Sequence, residues 1–185
     1  MQPLLCYTLS MVEKFGFIHE KIEIKMLILF AMRRLPGPVA MDVLTELAMC
    51  DEGISYFDVT DCILKLVETK HLQLTDGMYT LTPKGERNGE VLEKDLPYSV
   101  KQKAEDLTAK IRAAMNRNAM IKTSRAKEDN SGYRVALSLS DGVSEILSME
   151  IFAINEKQAD KLEKGFRRNA EEIYHSVMKL IADEK

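Results

Sequence analysis

The 185-residue chain lacks tryptophan and is poor in other aromatic residues and in cysteine. Aromatic residues make up 6% of it, which argues against an aromatic carbohydrate-binding platform, whereas 11 methionines indicate adaptable aliphatic packing. Cys6, Cys50 and Cys62 are widely spaced and form no Cys-x-x-Cys element, so the sequence indicates neither a disulfide framework nor a zinc site. We therefore expect a cytoplasmic protein without a metal or another cofactor.

The chain also lacks a hydrophobic segment long enough for a membrane. Met1 to Val12 is apolar, but no basic residue precedes its apolar run, which is too short to cross a bilayer. The longest other apolar run, Met26 to Met32, fits a buried amphipathic helix. We expect no signal peptide, no anchor and no membrane partner, and the hydrophobic content of 45% is enough for a packed core.

Enzyme motifs are missing as well. The segment from His19 to Glu23 lacks the second histidine that a zinc hydrolase needs one helical turn away. His71 and His175 have no nucleophile motif near them, and the Gly85 to Gly89 spacing lacks the Gly-Lys-Ser/Thr ending of a phosphate-binding loop. We predict that the protein is not an enzyme.

The strongest local pattern runs from Ile54 to Gly85 and predicts a helix, a hairpin and another helix. Ser55 is the expected N-cap of a helix over about Tyr56 to Thr69. Asp76-Gly77 suits the two central positions of a type I′ turn, where both residues need positive φ. Thr82-Pro83 suits the N-cap and first position of the next helix.

The helix over Tyr56 to Thr69 is predicted to be amphipathic. Its inward face comprises Val59, Ile63, Leu66 and Val67. Its outward face comprises Asp58, Asp61, Cys62, Lys65 and Glu68.

Helical periodicity predicts four further helices around this pattern. The first two are expected over Ile24 to Leu35, ending at Pro36-Gly37-Pro38, and over Val39 to Met49. The next two are expected over Lys84 to Lys94 and over Ser99 to Met115. We predict a winged helix-turn-helix domain over residues 1–96 and a connecting helix over residues 97–118.

Beyond residue 118 the period changes from helix to strand. Val135 to Leu139 and Leu147 to Ala153 alternate between apolar and polar residues, and Asp141-Gly142 suits the turn between them. Asn130-Ser131-Gly132 is expected to join an earlier strand over Ala119 to Arg125. We predict a small domain over residues 119–185, with a three-stranded antiparallel sheet and a long terminal helix, and hence an α+β fold.

The long terminal helix is expected to begin after Asn155, with Gln158 completing a variant of the capping box. Its apolar residues, spaced three and four apart up to Leu180, form a stripe longer than three short strands can cover. Together with the helix over Ser99 to Met115, this surplus predicts a homodimer.

Four segments carry a resemblance to a known family: Glu23 to Phe30, Ile54-Ser-Tyr-Phe, Tyr79-Thr-Leu-Thr-Pro-Lys-Gly and Leu96-Pro-Tyr. They resemble an uncharacterised domain-of-unknown-function family of winged-helix proteins from anaerobic Gram-positive bacteria, over nearly the whole chain. The Thr-Pro-Lys-Gly element is also similar to PadR-like and MarR-like regulators. The resemblance implies a DNA-binding transcriptional regulator, although a fold alone does not define a function.

For that function, candidate contacts to double-stranded DNA lie on the predicted recognition helix and around the wing. They are Ser55, Tyr56, Thr60, Lys65, Lys70, Lys84 and Arg87. The net charge of the predicted first domain argues against DNA binding, because residues 1–95 contain 10 Lys and Arg against 15 Asp and Glu. The alternative is therefore a winged-helix module that binds a protein partner and no DNA.

Two features of the second half have more than one interpretation. The segment Ser99 to Lys127 carries a local net charge of +6, which we interpret as the solvated face of a dimerising helix, with phosphate contact as the alternative. The predicted sheet and terminal helix could enclose a pocket for a small-molecule effector, or the same residues could form ordinary core. The candidate pocket residues are Met149, Ile151, Phe166 and Tyr174.

Overall fold

The computed structural model describes Ile18 and residues 20–51, 53–128 and 132–182. It confirms the mixed α+β class, with a two-stranded hairpin, a three-stranded antiparallel sheet and a long C-terminal helix. The described elements are α1 (Lys21–Met32), α2 (Met41–Ala48), α3 (Tyr56–Glu68), β1 (Leu72–Thr75), β2 (Met78–Leu81), α4 (Pro83–Leu92), a 3₁₀ turn (Glu93–Asp95), α5 (Tyr98–Met120), β3 (Ile121–Glu128), β4 (Gly132–Ser140), β5 (Glu145–Ala153) and α6 (Glu156–Ala182).

The chain divides into two compact units, residues 1–112 and 113–185. Each has its own buried core, and each is described separately below. The boundaries expected from the sequence, after residues 96 and 118, stay predictions.

In the first unit, α1 begins at Lys21 rather than Ile24. Glu20 and Glu23 explain this start, since they form a reciprocal capping box in which the Glu20 backbone N–H donates to a Glu23 carboxylate oxygen at 3.2 Å. The helix ends at Met32, before the Pro36-Gly37-Pro38 stop. Its side chains form the centre of the core, where Leu27, Phe30 and Ala31 have no exposed surface.

The second helix is shorter than the periodicity suggested. It begins at Met41 because Val39 is extended and pairs with Tyr79 of β2. The Val39 N–H donates to the Tyr79 carbonyl at 3.0 Å, and the Tyr79 N–H donates back at 2.7 Å. Val39 therefore adds a third extended segment beside the hairpin.

The third helix has the predicted start. The Ser55 hydroxyl oxygen accepts a hydrogen bond from the Asp58 N–H at 3.1 Å, as expected of an N-cap. Val59, Ile63 and Leu66 face inward as predicted, but the outward placement of Cys62 is wrong. Cys62 has no exposed surface because α1 packs over it, and its thiol donates to the Lys21 carbonyl at 3.4 Å.

The hairpin and the start of α4 follow the predicted local chemistry. Asp76 and Gly77 have φ values of 51° and 77°, and β1 pairs with β2 from Leu72 opposite Leu81 to Thr75 opposite Met78. The Thr82 hydroxyl caps α4 by accepting from the Gly85 N–H at 3.1 Å, with Pro83 in the first turn. The helix ends at Leu92, and the 3₁₀ turn follows it.

The fifth helix is longer than predicted and runs through Met120. The next strand therefore starts at Ile121 rather than Ala119.

The second unit is a sheet in the order β3-β4-β5, covered on one face by α6. Asp141 and Gly142 lie in the β4–β5 turn as expected, whereas Asn130 and Ser131 lie outside the described residues. Asn155 caps α6 through its side-chain oxygen, which accepts from the Gln158 N–H at 2.9 Å.

One apolar core joins the sheet and α6. Phe166 is the largest of its side chains and lies over the inner sides of β3, β4 and β5. Burial of each large aliphatic or aromatic side chain of this core contributes about 1.5–3 kcal/mol. The buried members are Ile121, Val135, Leu137, Leu139, Ala153, Ala159, Phe166 and Ala170.

Within the described part of the chain, none of the helices is long and apolar enough to cross a membrane.

Candidate nucleic-acid interface

The outer face of α3 is an exposed surface of the first unit that carries both apolar and charged side chains. Phe57 and Leu64 are 82% and 52% exposed, and they lie two helical turns apart. Asp61 and Glu68 occupy the same side of the helix, since Phe57, Asp61, Leu64 and Glu68 follow helical spacing. The centre of this face is therefore apolar and acidic.

Of the three polar candidates at the start of α3, Ser55 and Thr60 bond to the helix itself. Ser55 accepts from the Asp58 N–H and donates to an Asp58 carboxylate oxygen at 2.7 Å. The Thr60 hydroxyl donates to the Tyr56 carbonyl at 2.8 Å. Tyr56 is 53% exposed and its ring meets Phe57 edge to face, with 6.1 Å between ring centres. Of the three side chains, Tyr56 is the most available for contact with a ligand.

Two lysines neutralise much of the acidity of this face. Lys21 of α1 contacts Asp61 at 2.7 Å and Asp58 at 3.3 Å, while Lys65 contacts Asp61 at 2.9 Å. These hydrogen bonds lower the pKa of Asp61 to about 2, and the bonds from Ser55 and Lys21 lower the pKa of Asp58. Both carboxylates are therefore ionised and paired at neutral pH.

Four lysines from three elements accompany α3, and we call them the lysine row: Lys21 and Lys25 of α1, Lys65 of α3 and Lys84 of α4. Lys21 and Lys65 meet at Asp61, and Lys84 donates to the carbonyl of Thr69, at the C-terminal end of α3, at 2.8 Å. Lys25 follows Lys21 by one turn of α1. Desolvation raises the pKa of Cys62 and lowers the pKa of His71, and the charge of Lys25 is a smaller influence on both groups. The fold thus brings Lys21 and Lys25 beside the predicted candidates Lys65 and Lys84.

The other two predicted cations lie near the end of this row. Lys70 is exposed and has a φ of 59°, a left-handed conformation that the turn from α3 into β1 imposes. Arg87 is exposed on the first half of α4. No described carboxylate forms a salt bridge with either side chain.

His71 connects α3, the hairpin and α4. Its Nδ1 lies 2.8 Å from the Thr69 hydroxyl, and its Nε2 lies 2.7 Å from the Asn88 side-chain nitrogen. Since that nitrogen donates, the imidazole is neutral with its proton on Nδ1. Desolvation, together with the charges of Lys84 and Lys25, lowers the pKa of His71.

An apolar groove of about 570 Å³ lies beside the lysine row. Val67, Leu72, Leu74 and Pro83 provide its apolar lining, and Lys70 and Lys84 also line it. It follows the junction of α3, β1 and α4.

The residues suggested for an effector pocket lie in the second unit. Met149, Ile151 and Phe166 share an apolar groove of about 300 Å³ between β5 and α6. Tyr174 packs against the core cluster of the same unit. An effector at this groove stays a prediction.

Sequence reasoning missed Lys21, Lys25, Phe57 and Leu64. Phe57 and Leu64 lie opposite the inward residues Val59 and Leu66, so the apolar periodicity of α3 contained the signal for both. The position of Lys21 and Lys25 depends on how α1 packs on α3, which no local pattern reveals.

Among the described residues, no group of three or more His, Cys, Asp or Glu side chains is placed to hold a metal ion.

Comparison with known proteins identifies the family. The model of the family described as Domain of unknown function (DUF4364) matches residues 24–181. The chain therefore belongs to that family, and the predicted membership of a family of unknown function is confirmed. The relation to PadR-like and MarR-like regulators stays a prediction. No similar protein was found among curated proteins, and none among solved structures.

Proposed function

We propose that this protein is a winged-helix transcriptional regulator that binds duplex DNA as a homodimer. The order of three helices followed by a hairpin supports this assignment, with α3 as the recognition helix and β1–β2 as the wing. The extended pairing of Val39 with Tyr79 completes a small sheet at the base of the wing.

The lysine row is the observation that carries the proposal. Lys21 and Lys65 meet at Asp61 of α3, Lys25 follows Lys21 on α1, and Lys84 contacts the C-terminal end of α3. Cations in these places can follow the phosphates that flank a major groove. Lys70 and Arg87 would extend the contacts toward the wing. Each phosphate neutralised on B-DNA contributes roughly −0.9 to the slope of log affinity against log salt.

The exposed side chains of α3 suggest what the helix would read. Phe57 and the Thr60 methyl group suit the C5-methyl group of thymine, and the Asp61 carboxylate can accept only from a base amino group, that of cytosine or of adenine. We expect a preference for thymine-rich sites, and Asp61 to oppose binding where no base amino group faces it.

The test is a titration of a labelled mixed-sequence duplex, followed by fluorescence anisotropy at low salt and then at several higher salt concentrations. We expect Lys21→Ala/Lys25→Ala to weaken binding at least tenfold at low salt and to make the salt slope shallower. Lys157→Ala/Lys164→Ala removes the same charge from exposed positions of α6 and serves as the control. Equal effects of the two double variants, or no binding of the unmodified protein at low salt, would contradict the proposal.

The homodimer in this proposal is supported by α6. Its apolar stripe continues past the sheet, so that Met178, Leu180 and Ile181 are 49%, 79% and 77% exposed. Such a surface is unfavourable in water and favours association. Light scattering at micromolar concentration tests it, and a monomeric mass would refute the dimer while leaving the DNA proposal to the anisotropy test.

A protein-docking module is the second candidate, and the outer face of α3 favours it. Phe57 and Leu64 provide an apolar centre, and Glu68 adds negative charge beside the Asp61 carboxylate, which Lys21 and Lys65 already pair. Such a surface suits an amphipathic segment of a partner that brings a basic residue to Glu68. Under this hypothesis, tagged protein recovers a discrete partner from nuclease-treated lysate, and Phe57→Ala abolishes recovery. Val143→Ala is the control, because Val143 is 96% exposed in the turn of the other unit. Equal recovery by both variants would rule out docking at this face.

A further inference from the structure

The two edges of the sheet in the second unit differ in character. The strand order makes β3 and β5 the edges. β3 carries charged side chains along its length, from Lys122 to Glu128, which is how natural sheets protect an open edge. β5 is nine residues long and exposes apolar side chains on both faces, with Ile146 and Phe152 on one face and Ile151 on the other exposed by 37%, 49% and 36%. Glu150 is the one charged residue between its ends. A long edge strand with exposed apolar side chains is a template for another strand.

We propose that β5 pairs with β5 of a second copy of this chain, antiparallel and around a two-fold axis at Met149. The two sheets would then form one continuous sheet, with both copies of α6 on the same side. This inference specifies the interface of the homodimer in the proposed function and rests on that dimer.

The side-chain pattern of β5 selects the register. A two-fold axis perpendicular to the sheet keeps every side chain on its own face, so residues that lie opposite each other must belong to the same face. Since successive residues of a strand alternate between the faces, this holds only when one residue lies opposite its own copy at the axis. An axis at Glu150 would place the two Glu150 carboxylates opposite each other, and an axis at Ser148 would place Glu150 opposite Ile146.

An axis at Met149 avoids both conflicts. On the outer face it places Phe152 opposite the second copy's Ile146, and Glu150 opposite its Ser148. On the inner face it places Ile151 opposite Leu147 and pairs Met149 with itself. At the strand ends Ala153 faces Glu145. Between the ends, large apolar residues meet large apolar residues and the one glutamate meets a serine, which is the complementarity that an isologous interface requires.

The position of α6 also supports a second copy of the chain beside β5. The helix packs mainly on β4 and β3 and least on β5, which leaves the apolar groove of about 300 Å³ open beside the edge strand. Met149, Ile151 and Ile173 line this groove. A second copy added at β5 brings its own strand and helix to that opening, so edge pairing also buries the groove.

Disulfide cross-linking tests the register. In a chain whose native cysteines are replaced (Cys6→Ser, Cys50→Ser and Cys62→Ala), Met149→Cys places two thiols opposite each other. Opposite Cα atoms in antiparallel strands are about 4.5–5.5 Å apart, within the range of a disulfide. We expect mild oxidation to convert most of this variant to a covalent dimer and to leave the matched variant Val143→Cys, in the β4–β5 turn, monomeric on denaturing gels.

The outcomes separate this inference from the proposed function. A dimer by light scattering, without cross-linking of the Met149→Cys variant, would overturn the β5 interface and leave the homodimer standing. A monomer would overturn both, whereas DNA binding is measured independently by anisotropy.

A charge pair at Ser148 provides a second measurement that does not depend on oxidation. Ser148 is exposed and would face Glu150 of the second copy. We expect Ser148→Lys to tighten and Ser148→Glu to weaken the dimer, each by about 2- to 30-fold in Kd, because two symmetry-related pairs change together. Sedimentation at several concentrations measures both constants. If both substitutions shift the dimer Kd in the same direction, the proposed register is wrong.

Discussion

Asp61 determines how much positive charge the α3 surface offers to a phosphate. It holds Lys21 and Lys65 at 2.7 and 2.9 Å. Its pKa is about 2 in the folded protein, against 3.8 as a reference, so these ion pairs contribute to stability above about pH 4 and are lost as the pH falls toward 2.

Asp61→Asn removes this restraint. We expect the variant to bind mixed-sequence duplex several-fold more tightly at low salt, with a steeper salt dependence, because Lys21 and Lys65 become available to phosphates. Anisotropy titration measures both quantities. Glu172→Gln, which makes the same change of net charge on exposed α6, is the control. If Asp61→Asn weakens binding instead, the carboxylate itself contacts the ligand.

We expect His71 to make the first unit less stable in mild acid. Because the pKa of His71 is lowered in the folded protein, the unfolded chain binds this proton more readily. The contribution of His71 to stability is therefore complete above about pH 6.5 and declines as the pH falls below that value. We expect the urea concentration at the unfolding midpoint to be lower at pH 5 than at pH 7.5. His71→Asn should make this difference smaller.

The control for this prediction is His175→Asn, since His175 lies exposed on α6. This variant should retain the full difference in midpoint between the two pH values. A pH dependence that His71→Asn leaves unchanged would show that other groups cause it.

At the scale of elements, Gly85 fixes how closely α4 approaches the hairpin. A Cβ atom there would lie 2.2 Å from the His71 carbonyl oxygen and 2.7 Å from Leu81 Cδ1. We expect Gly85→Ala to destabilise the protein by about 1–3 kcal/mol through overpacking. Urea unfolding measures the change.

Gly165 of α6 is the matched control, because nothing lies within 4 Å of a Cβ atom at that position. Alanine there should stabilise the helix by about 0.5–1 kcal/mol. Destabilisation of equal size by both substitutions would mean that close packing at Gly85 is not the cause.

The ends of the elements were predictable where a side chain bonds to its own helix. Ser55, Thr82 and Asn155 cap α3, α4 and α6 as their sequence contexts indicated. Prediction failed where the deciding partner is distant in sequence. Val39 is extended because Tyr79 pairs with it, and Cys62 is buried because α1 covers it.

The candidate site shows the same limit. Lys65 and Lys84 were predictable from their places on α3 and α4, since both lie within the helix-hairpin pattern. Lys21 and Lys25 join them only through the packing of α1 against α3, which local periodicity does not encode.

For the whole molecule, two compact units with separate cores should unfold in separate steps. We expect the transition of the sheet-containing unit to rise by about 3–6 °C when protein concentration increases tenfold, because association stabilises it by mass action. The transition of the unit that contains α1 to α4 should not shift.

Scanning calorimetry at several protein concentrations measures the temperatures of both transitions. Gly85→Ala should lower the temperature of only one transition, and this identifies the transition of the unit that contains α4. If both transitions rise together with concentration, association involves the first unit as well.

The cover that α6 provides has a consequence for synthesis on the ribosome. Strands β3 to β5 are translated before α6, so their apolar inner face has no helix to bury it until α6 emerges. At about 5–20 residues per second, translating the 27 residues of α6 takes roughly 1–5 s. During that interval the nascent sheet is prone to aggregate. Chains truncated before Glu156 should therefore accumulate in the insoluble fraction or be bound by chaperones.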